Sequence, residues 1–323
     1  NPSSSAKSAF AAAEYARTDR ILGPRIFSTG EIVYGAKSTS WAPIDNLDDA
    51  LAHVRRLAAQ GAISVKNYNQ PRREQRQQVI EAARQEGLIS VAEGGSLYQL
   101  DMSMIADGIT GIEHNVPTLK MYDDVHQFWR QSGAGYTPTL VVTYGGLTSE
   151  DYFYQNTEVW KHPILSNFVP PSQLQARSVR RVTAPEEDYR DDDSAAAAKI
   201  LMDAGIMVNI GAHGQREGLA SHWEMWSFAR GGFSPMEALA TATINPARHL
   251  GMDKDIGSLE AGKLADLVIV DANPLDDIRN TDRISHVMIN GRLYRAGDLS
   301  EEVTGTATLS PFHWQTTPQG AIR

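Results

Sequence analysis

Between Arg25 and Ile210 the sequence repeats one unit, a short apolar run followed by a longer stretch with apolar residues at helical spacing. This alternation constrains the fold more than any other feature. Strands separated by helical crossovers pair in parallel, and the helices then cover the sheet from outside. Arg25–Gly30 is the first expected strand. Asn46–Gln60 is an expected helix with Leu47, Leu51, Val54 and Leu57 on one face and Asp45 or Asn46 as N-cap. Ala62–Lys66 is the next strand, and Arg73–Glu86 is a helix closed by Gly87 in the C′ position. Leu88–Ala92, Ile109–Ile112, Tyr136–Thr143 and Ile206–Ile210 continue the strands, while Leu97–Asp107, Tyr122–Gln131 and Ala195–Ala204 continue the helices. Six strands result, where a complete (β/α)₈ TIM-type barrel needs eight. The expected fold class is therefore α/β, a (β/α)₈ barrel lacking its first strands.

Other segments fall outside the repeat. Ser8–Arg20 is an expected helix that follows Asn1-Pro2-Ser3-Ser4-Ser5, and Asn1 is not a start residue, so the chain is expected to be a fragment or a processed product. Tyr144–Asp193 is rich in Tyr, Pro and charge and too long for an ordinary connection, which predicts a lid or wall over a site. Leu219–Arg230 and Ser234–Thr243 are expected helices, the second with Ser234 at the N-cap and Pro235 at N1. From Ile256 the texture changes to short β segments, with Asn290-Gly291 as a hairpin turn. The expected domains are a barrel portion over 1–255 and a small β unit with the tail over 256–323.

Composition excludes several functions. Thirty basic and 39 acidic residues give a formal charge of -9 with interleaved signs, so the basic stripe of a nucleic-acid binder is missing. With no cysteine, thiolate ligands, CxxC redox motifs and cysteine nucleophiles are excluded, and any metal must be held by N and O ligands. No apolar run reaches membrane-span length and no charged-then-apolar leader opens the sequence. A soluble protein is expected, with a periplasmic or secreted parent compatible with the sequence.

In a parallel αβ barrel the reactive side chains sit at the C-terminal ends of the strands. The polar residues at those ends are Lys66, Glu93, His114, Thr143 and His213. Strict alternation places Ser64 with Lys66, Val91 with Glu93, Ile112 with His114, and Asn209 and Gly211 with His213, so that Lys66, Glu93, His114 and His213 point into one mouth.

At these residues the chain resembles the metal-dependent amidohydrolase superfamily, in the branch of imidazolonepropionases and Xaa-Pro dipeptidase-like enzymes, and among them amidohydrolases fused behind a TolB-like propeller. The most specific match is Glu237-Ala-Leu-Ala-Thr-Ala-Thr-Ile-Asn-Pro-Ala-Arg-His-Leu-Gly251, followed by Gly257-Ser-Leu-Glu-Ala-Gly-Lys-Leu-Ala-Asp-Leu-Val-Ile-Val-Asp271. The likeness runs from about Leu22 to Tyr294, and the small β unit would belong to the family's composite sandwich. The resemblance implies one or two divalent ions, zinc first, held between a first-strand His-x-His pair and later ligands, with Lys66 at the strand-four position, often carboxylated, and His114 at the strand-six position. A carbamate on Lys66 would be an anionic oxygen ligand, which an ammonium cannot be.

The departures from that pattern are specific. Glu93 stands where strand five usually carries His, and His213 where strand eight usually carries Asp. Carboxylate and imidazole both ligate zinc, so Lys66, Glu93, His114 and His213 are the expected metal ligands, with His213 or Glu93 as the catalytic base. No His-x-His occurs in the 323 residues, which places those ligands upstream of Asn1. Tyr68 and His222 are the expected substrate contacts. His222 and Glu224 are two apart, hence on different helix faces, and would not chelate one ion. The acidic runs Glu186–Asp188 and Asp191–Asp193 read as a solvated loop or a helix N-terminus rather than a calcium site.

The expected function is metal-dependent hydrolysis of an amide, cyclic amide or dipeptide carbonyl by metal-activated water. The rival is a non-catalytic binding or scaffold relative, or an inactive fragment, in which Glu93 and His213 record lost catalysis. Expected partners are a small-molecule or short-peptide substrate, the upstream part of the same polypeptide, and a second copy of the chain.

Overall fold

The protein is described by a computed structural model that covers residues 5–38, 41–305 and 309–316. The chain divides into two compact units, one of Asn1–Pro138 with Ile200–Asn209, the other of Thr139–Lys199 with Ile210–Arg323.

The first unit contains α1 (Ala6–Arg17), β1 (Val33–Tyr34), α2 (Leu47–Ala59), β2 (Ser64–Tyr68), α3 (Arg73–Gln85), β3 (Ile89–Glu93), α4 (Tyr98–Ala106), β4 (Gly111–Glu113), α5 (Asp123–Ser132) and β5 (Gly135–Thr137). The strands form one sheet in the order β1-β2-β3-β4-β5, and each neighbouring pair is parallel. Helix boundaries follow local chemistry. Asn46 caps α2 by accepting a hydrogen bond from the Asp49 N–H at 3.1 Å, and Gly87 after α3 takes the left-handed conformation with φ 70°. The predicted apolar stripe of α2 is realised, since Leu51, Val54 and Leu57 are buried and pack with Val65, Val79, Ala82 and Ala83. Burying each such aliphatic side chain contributes about 1.5–3 kcal/mol.

Three strand expectations are corrected. Arg25–Gly30 is not a strand. Its Gly30 N–H bonds to the Ser28 hydroxyl at 3.1 Å and Gly30 turns to φ 69°, so local bonding competes with the ladder. The first strand is Val33–Tyr34 instead. The strand expected over Tyr136–Thr143 ends at Thr137, because Pro138 has no N–H and Thr139 adopts φ 56°; a 3₁₀ turn, Leu140–Val142, follows. Ile206–Ile210 contributes a single parallel bridge, Tyr136 to Val208, with Tyr136 N–H donating to Met207 O and Asn209 N–H to Tyr136 O, both at 2.8 Å.

The second unit carries α6 (Ser149–Asn156), α7 (Leu165–Phe168), α8 (Pro171–Gln175), most of α9 (Asp191–Asp203), α10 (Ala220–Arg230), α11 (Pro235–Thr241), α12 (Ile244–His249), the strands β6 (Leu267–Val270), β7 (Ile284–Ile289) and β8 (Arg292–Arg295), and α13 (His313–Thr316). The segment 144–193 is thus a series of short helices. Its core is aromatic: Phe153 stacks on Trp223 with centroids 5.6 Å apart and meets Trp226 edge-on at 5.4 Å. Ser234 and Glu237 form the capping box of α11, with Pro235 in its first turn. The strands β6, β7 and β8 form an antiparallel sheet, and Asn290 and Gly291 both have positive φ, as a type I′ hairpin requires. The acidic run Asp191–Asp193 forms the N-terminus of α9, one of the two expected readings, with its first residue buried. Asp191 is fully buried, its carboxylate 3.3 Å from Nε of Arg230, whose guanidinium lies 3.5 Å from the Tyr152 ring centroid. Among the described residues no helix is long and apolar enough to cross a membrane.

Candidate active site

The register of the parallel sheet determines which strand-end residues share a face. Lys66 pairs with Val91, Val91 with Gly111, and Gly111 with Gly135; one layer further, Glu93 pairs with Glu113 and Glu113 with Thr137. In-register residues of parallel strands point the same way. Val65 packs into the helix-facing core, and Ala92 and Ile112 are equally buried. Lys66, Glu93, Glu113 and Thr137 therefore occupy the opposite face. Gly111 and Gly135 bring no side chains to the layer of Lys66, which leaves room for its long stem.

On that face Lys66 Nζ donates to Glu93 Oε1, and Glu93 Oε2 lies 3.8 Å from His114 Nε2. Lys66 Nζ is also 4.8 Å from the Tyr68 ring centroid, and Tyr68 stacks on Tyr34 with centroids 5.3 Å apart. Lys66 and His114 are buried, at 5% and 6% exposure. A buried ammonium persists only with its counter-charge, and Glu93 supplies it. Burial pushes the Tyr68 phenol above its ordinary value, and the neighbouring charge of Glu93 adds to the effect. Desolvation pushes Glu113 up to about 7, with Thr137 and Lys66 acting in the opposite sense and Glu93 reinforcing the rise.

The face assignment made from alternation needs one correction. Ile112 faces the helices and Glu113 faces the site; His114 joins the cluster because its backbone turns to φ 69°, reversing the pleat after the last strand residue. His114 N–H donates to Thr137 O at 2.8 Å, which holds this turn. Glu113 was thus missed by sequence reasoning, although its register partner Glu93 was not. The cue was available in the tripeptide Ile-Glu-His, where alternation alone cannot choose between the two polar neighbours.

His213 and His222 lie in the second unit. His213 also has a positive φ, 54°, and is exposed, so the alternation through Asn209 and Gly211 does not determine its direction. Its Nδ1 is 3.2 Å from Gln215 Oε1, and Gln215 Nε2 donates to Glu150 Oε2 at 2.8 Å. The ring of His222 is 6.5 Å from that of Trp226, and desolvation lowers its pKa. Glu224, two residues on, is fully buried and accepts hydrogen bonds from the backbone N–H groups of Leu140 and Val141 at 2.8 and 2.9 Å. Burial pushes its carboxyl up to about 8 against the pull of those donors.

The first unit offers donor chemistry for a divalent cation. Two carboxyl groups and an imidazole stand beside the single Lys66 ammonium in a desolvated setting, a set of oxygen and nitrogen donors of the kind divalent cations take. Among the described residues no three of His, Asp and Glu are already gathered about one point. Lys66 can add a ligand only as its carbamate, which would also release Glu93 from the ion pair.

A parallel sheet flanked by helices, with Lys, Glu and His converging at its strand ends, is an α/β architecture of the TIM-barrel type, and the chain belongs to the amidohydrolase family, whose pattern matches residues 6–294. That family generally uses divalent metal. A 39-residue stretch is 62% identical to imidazolonepropionase of Symbiobacterium thermophilum, covering 12% of this chain and 9% of that protein. A 147-residue stretch is 29% identical to 5-methylthioadenosine/S-adenosylhomocysteine deaminase of Moorella thermoacetica, covering 38% of this chain and 34% of that protein. These matches span well under two thirds of either relative. Among solved structures, a Xaa-Pro dipeptidase with bound methionine in the active site superposes with a TM-score of 0.66 at 21% identity, over 91% of this chain and 73% of that one. Phenylurea hydrolase B gives 0.66 at 18% identity, over 97% and 76%. The structural likenesses bear on the fold, which is of TIM-barrel type, and the named relatives act on carbon–nitrogen bonds.

Proposed function

We propose that the protein is a metal-dependent hydrolase that cleaves the C–N bond of an amide, cyclic amide or dipeptide. The observation that carries this reading is the convergence of Lys66, Glu93 and His114 on one face at the strand ends of a parallel sheet. Lys66 as its carbamate, Glu93 and His114 would hold the ion, zinc being the first choice for this N and O donor set, and His213 is a further ligand candidate. When bound, a divalent ion supplies a Lewis acid and lowers the pKa of water.

The chain's own groups have separate tasks. Glu93 or His213 accepts the proton of the attacking water. Thr137 steadies Glu113, whose carboxyl, pushed up to about 7 by desolvation, is placed to hold a proton on this face. Tyr68, backed by Tyr34, offers an aromatic wall to the substrate, and His222 is the second substrate contact. Residues 256–323 are proposed as a small β unit with a tail, of which 306–308 and 317–323 lie outside the described residues, distinct from a barrel portion over 1–255.

The test combines metal analysis with turnover of Xaa-Pro dipeptides, N-acyl amino acids and cyclic amides by the full-length protein. Lys66→Met and His114→Ala are each expected to reduce kcat/KM on the order of 10²-fold or more and to lower bound zinc below one per chain. Unchanged turnover in both variants, or less than stoichiometric tightly bound metal in the unsubstituted protein, would overturn the reading.

A further inference from the structure

We infer that Gln215, Glu150 and Arg177 form a relay that sets the tautomer of His213, holding the proton on Nδ1 and presenting the lone pair on Nε2. The inference deepens the proposed role of His213 as proton acceptor or ligand and rests on that reading. Its geometry lies wholly within the second unit.

The chain of reasoning starts at Glu150. This carboxylate is buried, at 5% exposure, at the start of α6, and it is ion-paired with Nη1 of Arg177. An ionised carboxylate accepts hydrogen bonds and donates none. The group of Gln215 that lies 2.8 Å from Glu150 Oε2 must therefore be its NH₂, whichever way a side-chain amide could otherwise be turned. With the NH₂ committed to Glu150, the Gln215 carbonyl oxygen is the group left to face His213, at 3.2 Å from Nδ1. A carbonyl only accepts, so Nδ1 must carry the proton. In a neutral imidazole Nε2 then holds the lone pair.

Each link has a physical reason to be ordered this way. Arg177 is always charged and donates only, so its ion pair engages Glu150 as an acceptor. If Glu150 were amidated or protonated it could itself donate, and the amide of Gln215 would be free to reverse. Reversal would turn an NH₂ toward Nδ1, which then has to accept, and the proton would move to Nε2. The exposed imidazole of His213 is thus governed by a buried charge two side chains away. Outer partners of this kind orient His ligands and bases and raise their basicity. Gln215, Glu150 and Arg177 are positioning residues here.

The test reads the tautomer directly. Two-bond ¹H–¹⁵N spectra of the full chain, labelled with ¹⁵N-histidine at a pH where His213 is neutral, distinguish protonated from unprotonated ring nitrogens; the His213 signals are identified by their absence in His213→Asn. The unsubstituted chain is expected to show a protonated Nδ1 and an unprotonated Nε2. Gln215→Leu removes the acceptor and is expected to return His213 to a mostly Nε2-protonated state. Glu150→Gln is expected to weaken the Nδ1 preference without touching the ring. A protonated Nε2 in the unsubstituted chain overturns the inference, as does a His213 signature unchanged in both variants. The proposed function fails separately: if His213→Ala leaves kcat/KM and bound zinc unchanged, His213 has no catalytic or ligand role, whatever tautomer the spectra show.

Discussion

Asp101 provides a measurable consequence of the way the end of β3 is built. Its residue is 2% exposed, in the first turn of α4, and burial alone pushes its carboxyl from 3.8 up to about 7. The folded chain thus holds a proton that the unfolded chain releases. For an acid whose folded pKa is raised, the contribution to stability is fully present below the unfolded pKa, declines as pH rises from 3.8, and levels off above about 7. Three units at about 1.4 kcal/mol each give a total loss of about 4 kcal/mol. Asp101→Asn is nearly isosteric and never ionises, so it escapes this loss. Urea unfolding of both forms should show the variant gaining about 3 kcal/mol relative to the unsubstituted protein between pH 5 and pH 8. Parallel stability curves across that range would refute the reasoning, because they would mean that Asp101 ionises in the folded state as readily as in water.

Two further outcomes follow from neighbouring packing. A Cβ placed on Gly94 would lie 1.3 Å from Asp101 Oδ1, so Gly94→Ala should cost about 1–3 kcal/mol in thermal or urea unfolding, and much less in an Asp101→Ala background; equal costs in the two backgrounds would remove Asp101 as the obstacle. Glu224→Ala leaves the buried N–H groups of Leu140 and Val141 without acceptors, at about 1–3 kcal/mol each, and a fall in stability of less than 1 kcal/mol would contradict that role.

The proposed site has an electrostatic logic that these tests approach from outside. Lys66 and Glu93 neutralise each other on the site face, while Glu113 beside them is pushed up to about 7. Capping, packing and the ion pair hold the strand ends in place, and the price of the buried carboxylates falls on stability. Functional sites commonly carry such strain.

Much of this was legible from local pattern. The apolar stripe of Leu51, Val54 and Leu57, the Asn46 cap, the Gly87 terminator and the Asn290-Gly291 turn are short-range features, and each determined its element from a few residues of sequence. The strand ends carrying Lys66 and Glu93 were readable for the same reason, since strand periodicity is local. Tertiary structure decided the rest. The register that sets Glu113 beside Glu93 depends on pairing between strands far apart in sequence, and the positive φ that brings His114 round is held by the carbonyl of Thr137 on the next strand. The same is true of Glu150 and Gln215, 65 residues apart, whose hydrogen bond governs His213. Pattern along the chain specifies which groups are available; only the fold, by choosing register and backbone hand at each strand end, specifies which of them meet.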